Sequence, residues 1–133
     1  MDTQHLEKVT KEICDIFEVY APPMPVETML SQPPEDLWEE IDVAQLSGSF
    51  LSLKEKYSPR MSLARLLARH IANSDWGQER NLGELNDGGV KAFARILLMP
   101  SDMIEGLTSN ARNPRSISHQ FEAPESEAEQ RLL

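Results

Sequence analysis

Ser58-Pro59-Arg60-Met61-Ser62-Leu63-Ala64-Arg65-Leu66-Leu67-Ala68-Arg69-His70-Ile71-Ala72-Asn73-Ser74 is the stretch on which the fold turns. Leu63, Leu66, Leu67 and Ile71 recur at three- and four-residue spacing, which predicts a helix over 59–74 with one apolar face. Ser58 offers a hydroxyl to cap free backbone amides, and Pro59 suits the first helical position. A second helix is predicted over 89–98, where Val90, Phe93, Ala94, Leu97 and Leu98 share a face before Pro100 ends it. These two helices are expected to pack as the core pair, burying Leu63, Leu66, Leu67, Ile71, Val90, Phe93, Leu97 and Leu98.

Working outward, Leu6, Val9, Ile13, Ile16, Phe17 and Tyr20 mark a helix over 3–20, stopped by Pro22 and Pro23. Pro25 opens a short helix through Val26, Met29 and Leu30, and residues 36–41 suit one further turn. Ile41, Val43 and Leu46, then Ser47-Gly48-Ser49, then Phe50, Leu51 and Leu53 read as a short hairpin over 41–53. Residues 75–88, with Gly77, Asn81, Gly83, Asn86 and Gly88, read as loop. Ser101 is placed to cap a helix through Met103, Ile104 and Leu107. Asn113-Pro114 starts another with Ile117 and Phe121, and Pro124 opens a last one ending at Leu132. The fold class expected is therefore α+β: mainly helical, with a small antiparallel sheet.

The chain has 133 residues, 40% of them hydrophobic and 26% charged, which suits one domain with one modest core. Within it, 1–58 holds N-terminal helices and the short sheet, 59–108 the core pair and 109–133 short terminal helices or a partly flexible tail. The net charge is −9, from 22 acidic and 13 basic side chains. That balance argues against a nucleic-acid partner. Acids dominate residues 2–42, whereas Arg60, Arg65, Arg69, Arg80, Arg95, Arg112 and Arg115 come later, so a local basic face in the second half fits the sequence. One cysteine, Cys14, forms no intrachain disulfide and fits a reducing, cytoplasmic setting. Its neighbours Ile13, Ile16 and Phe17 point to a buried small residue and not a nucleophile. The N-terminus does not read as a signal peptide, and no stretch is long and apolar enough to span a bilayer.

Two segments carry a family pattern. Arg60-Met61-Ser62-Leu63-Ala64-Arg65-Leu66-Leu67-Ala68-Arg69 resembles the Arg-Phe-Thr-Leu-Ala-His-Glu-Leu-Gly-His run of the ImmA/IrrE family of zinc-dependent peptidases. Lys91-Ala92-Phe93-Ala94-Arg95-Ile96-Leu97-Leu98-Met99-Pro100 resembles that family's helix ending Phe-Ala-x-x-Leu-Leu-Met-Pro. Pro25-Val26-Glu27 resembles its Pro-Val-Asp, and Phe121 with Arg131-Leu132 its closing pattern, which favours an ordered C-terminus. The resemblance spans about residues 5–132 and implies a zincin-like domain.

In a zincin helix the two histidines of His-Glu-x-x-His lie four apart, on one face, and bind one zinc; the glutamate is the general base. Here the matching positions hold Arg65, Leu66 and Arg69. Arginine has no lone pair to give a metal, and leucine takes no proton. The family's third ligand is a glutamate early in the second helix; Asp87 and Glu84 are the nearest acids and neither keeps its register. Active relatives also carry a longer stretch between the positions of Gly48 and Arg60, including a strand that edges the cleft. The resemblance thus implies a pseudopeptidase with no catalytic residue, no metal and no cofactor, acting on a regulatory protein partner. Arg65 and Arg69 either replace the metal with ion pairs to Asp87 or Glu84, or form a solvated helix face. One alternative is a metallopeptidase with a relocated site using His70, Asp87 or Glu84, although one residue of shift turns a helical side chain by about 100°. Another is a DNA-associated regulator using Arg112 and Arg115.

Overall fold

The structure is a computed structural model describing residues 2–34, 37–46 and 55–133. Its helices are α1 (Thr3–Phe17), α2 (Val26–Ser31), α3 (Ser58–Asn73), α4 (Asp75–Gln78), α5 (Asp87–Leu98), α6 (Ser101–Glu105), α7 (Pro114–Phe121) and α8 (Glu125–Arg131).

No strand occurs among the described residues, so the α+β expectation is corrected to a mainly helical architecture without a sheet among them. The apolar alternation of Ile41 and Val43 belongs to something else. Val43–Gln45 is one 3-10 turn, and the Asp42 carboxylate accepts the Ala44 N–H at 3.0 Å. The Ile41 N–H donates to the Leu30 carbonyl at the end of α2, at 2.8 Å. Its backbone bonds thus go to a helix end and a cap, and no ladder forms. The predicted turn at 47–49 and second strand at 50–53 lie outside the described residues. The extra turn over 36–41 is also absent where it is described: 37–41 is irregular chain. Trp38 within it is buried and donates its ring N–H to the Met29 carbonyl at 2.9 Å.

The core pair forms. Along α3, Met61, Leu63, Ala64, Leu67, Ala68 and Ile71 are buried, and along α5, Val90, Phe93, Ala94, Leu97 and Leu98. Leu66 is an exception: it is only partly buried, at the edge of the core. Alanine at 64, 68 and 94, each fully buried, lets the two backbones approach closely. The other helices close round this pair, contributing Leu6, Val9 and Ile13 from α1, Met29 and Leu30 from α2, Ile117 and Phe121 from α7 and Ala128 from α8 to one cluster. No helix among the described residues is long and apolar enough to cross a membrane.

Two caps differ from expectation. Tyr57, in a left-handed conformation at φ 69°, precedes α3, and the Ser58 hydroxyl accepts the upstream Glu55 N–H at 3.0 Å. Ser101 does not cap α6 with its own side chain; the Glu7 carboxylate of α1 accepts the Ser101 backbone N–H at 3.4 Å and its hydroxyl at 2.7 Å. Residues 75–88 are more ordered than a loop, with α4 and a 3-10 turn at Leu82–Glu84.

Three arginines fasten this assembly. Arg60 donates from Nη1 to both oxygens of Glu27 (2.9 and 3.0 Å), from Nη2 to the Met24 carbonyl (2.6 Å) and from Nε to the Glu122 carbonyl (3.0 Å). It thereby joins α2, α3 and the end of α7. Arg131 donates to Glu7, to the Ser101 hydroxyl at 3.0 Å and to the Met99 carbonyl at 2.8 Å, which brings α8 to α1 and α6. Arg80 donates to Glu12 at 2.9 Å while its guanidinium stacks 3.8 Å from the Trp76 ring centre.

Candidate functional site

Of the positions that the sequence singles out, Arg65, Arg69 and Asp87 lie along the α3–α5 pair. Residues 65 and 69 are four apart on α3 and share a face; so do 87, 91 and 95 on α5. Two ion pairs fix how these faces meet. Arg69 Nη2 stands 3.7 Å from Asp87 Oδ1, at the start of α5. Near the other end, Glu127 of α8 places Oε2 2.8 Å from Arg95 Nε and Oε1 3.7 Å from Arg65 Nη2. Arg65 thus neighbours the end of α5 and Arg69 its beginning: the helices run antiparallel, with Lys91 between the two pairs.

The two arginines are held differently. Glu127 and Arg95 are 13% and 25% exposed, so their bond is partly shielded from water. Arg69 and Asp87 are 59% and 97% exposed, and a pair so solvated contributes little. Arg65 reaches Glu127 rather than Asp87 or Glu84, and its Nε is buried with no acceptor. A buried N–H without a partner carries a desolvation cost. Glu84 is exposed and makes no ion pair among the described residues, nor does Lys91. Glu127 and Arg95 were not singled out by the sequence. Their signal was the spacing of Arg95 four residues after Lys91 and the acidic first turn of α8, and neither names the other.

The chemistry of this set is cationic. Arg65 and Arg69 supply guanidinium donors, Leu66 between them supplies no proton acceptor, and the nearest carboxylates are engaged with arginine. His70 turns to another side of α3. It lines an open hollow of about 700 Å³ with Trp38, Glu39, Glu40 and Asp75. His70, Asp87 and Glu84 are therefore not assembled, and no group of three or more His, Cys, Asp or Glu able to hold a metal occurs among the described residues. Arg112 is spent on its own loop, donating to the carbonyls of Glu105 at 2.6 Å and Leu107 at 3.2 Å.

A second concavity, of about 300 Å³, lies between α1 and α6. Cys14, Val19, Tyr20 and Met103 give it an apolar lining, with Lys11 and Asp102 at its rim. Burial pushes the Cys14 thiol up to about 11, and the Asp15 and Asp102 carboxylates add to the effect. At neutral pH it is a protonated, packed thiol, suited to filling space and not to attack.

Neither a protein-family model, nor a curated protein, nor a solved structure matches the chain.

Proposed function

We propose that this protein is a non-catalytic pseudopeptidase, a degenerate relative of the ImmA/IrrE peptidases in its helical part, that acts in the cytoplasm as a regulatory protein-binding module. The observation that carries the reading is the state of the α3 face. Where the resembling family has two zinc ligands and a base, α3 presents Arg65, Leu66 and Arg69, and Glu127 and Asp87 stand against the two arginines. Guanidinium groups in those places repel a metal cation and bind carboxylates.

The residues matched to the family pattern, with Glu27 in place of its aspartate, support the same reading. Glu27, Arg60, Phe121 and Arg131 are scaffold: two are partners in the Arg60 clamp, one is fully buried and one ties α8 to α1. A chain that retains the frame and changes the reactive positions together fits a binding role on an old catalytic frame.

The test has two parts. Protein purified without added zinc is assayed for bound metal and for hydrolysis of peptides. In parallel, a photo-reactive cross-linker at position 69 in the native host identifies what touches this face. The reading expects a protein cross-link and no metal-dependent hydrolysis. Stoichiometric zinc with peptide cleavage sinks it.

A further inference from the structure

We propose that the α3–α5 face is a docking surface for an acidic peptide segment of a partner protein, with the partner's carboxylates taken by Arg65, Arg69 and Lys91. The inference rests on the protein-binding reading above and specifies the chemistry of the partner.

Four cations, Arg65, Arg69, Lys91 and Arg95, share two carboxylates on this face, Asp87 and Glu127. Only Arg95 has a short, shielded bond to one of them. Arg65 has a single contact at 3.7 Å, an unpaired Nε and a side chain that remains 38% exposed, so its outer Nη atoms are open to a further acceptor. Arg69 is held by an almost fully solvated aspartate, which an incoming carboxylate displaces at little cost. Lys91 has no ion pair among the described residues. These six side chains together carry two net positive charges on a chain whose net charge is −9.

Its dimensions select the partner. From 87 to 95 the stripe is about 12 Å long at the α-helical rise. Three or four residues of extended peptide cover that length at about 3.3 Å each. Partly buried Leu66 and Ala92, beside the cations on α3 and α5, offer apolar ground for the methylene stems of glutamate.

Fluorescence anisotropy with a dye-labelled oligoglutamate peptide, its oligoglutamine counterpart and a short DNA duplex tests the proposal. Oligoglutamate should bind, oligoglutamine should not, and binding should weaken as salt rises. The combined Arg69→Gln/Lys91→Gln variant changes only exposed side chains and should weaken binding about tenfold. Lys11→Gln, at the α1–α6 groove, should leave it unchanged. The proposal is overturned by no oligoglutamate binding, by equal binding of the combined variant or of oligoglutamine, or by preference for the duplex. A cross-linked partner combined with failure of oligoglutamate removes this inference and leaves the protein-binding reading standing. Zinc-dependent cleavage removes that reading whatever the peptide does.

Discussion

Glu127 of α8 sets one carboxylate oxygen 2.8 Å from Arg95 Nε of α5, and this bond also decides the fate of Arg65, which faces the other oxygen. A terminal helix of seven residues thereby gains a hold on both members of the core pair. Glu127→Gln keeps the shape and removes the charge, leaving two guanidinium groups facing each other over a neutral amide. We expect a loss of about 1–3 kcal/mol, since Glu127 is mostly buried and Arg65 is not. Thermal unfolding should show a fall in Tm of several degrees. A double-mutant cycle with Arg95→Gln should give a coupling energy well above that of the Arg69–Asp87 pair.

Arg131 binds Glu7, the Ser101 hydroxyl and the Met99 carbonyl together, so its removal strands three polar partners. Arg131→Ala should cost about 2–4 kcal/mol, read by urea unfolding. Arg131→Lys should recover less than half, because one ammonium does not reproduce the forked donors. An equal stability for Arg131→Ala and the parent contradicts the role of α8 as a fastened element.

Adjacent leucines on α3 separate the buried face from the outer one. Leu67 is fully buried between α3 and α5, whereas Leu66 lies at the edge. Leu67→Ala should cost about 2–5 kcal/mol, and Leu66→Ala distinctly less. Chemical denaturation of the pair of variants reads the difference directly.

Cys14 gives the protein an alkaline limit. Its thiol is held up to about 11 in the fold, from 9.0. Above pH 9 the unfolded chain releases the proton while the folded chain keeps it, so folding stability is intact below about 9 and falls as pH rises toward 11. The fall should be of order 2 kcal/mol. Cys14→Ala should flatten the slope over this window even though it lowers stability overall. At pH 8, alkylation of Cys14 by iodoacetamide should be far slower in the native protein than in urea.

The helices were legible because their signals are local. Apolar spacing, the prolines at 59, 100 and 114 and the Asn113 cap each act within a turn or two of chain, and α3, α5 and α7 form where they point. Ile41 and Val43 misled for the complementary reason: two apolar residues in alternation suit an edge strand, but also a segment that drops two side chains onto a helical core. Only the destination of the Ile41 N–H, the Leu30 carbonyl, distinguishes these. Leu66 shows a similar limit, since the spacing puts it on the apolar stripe and the position of α5 leaves it at the margin. The site was legible as residue types and, for partners, only in the Arg69–Asp87 pair. Arg65 and Arg69 follow from the pattern of α3, yet Glu127 lies 62 positions beyond Arg65 and the Arg131–Glu7 pair spans 124. Pairings at such separations depend on how helices stack, which no local spacing encodes.

We have proposed the outer face of α3 and α5 as a cationic carboxylate-binding surface in place of a metal centre. The most direct measurement is a zinc titration of the metal-free protein by calorimetry, with Tm recorded with and without zinc. No stoichiometric binding and an unchanged Tm are expected, because Arg65 and Arg69 offer no lone pair and His70 faces elsewhere. One zinc bound per chain, with a raised Tm that is lost in Asp87→Asn or His70→Ala, would contradict it.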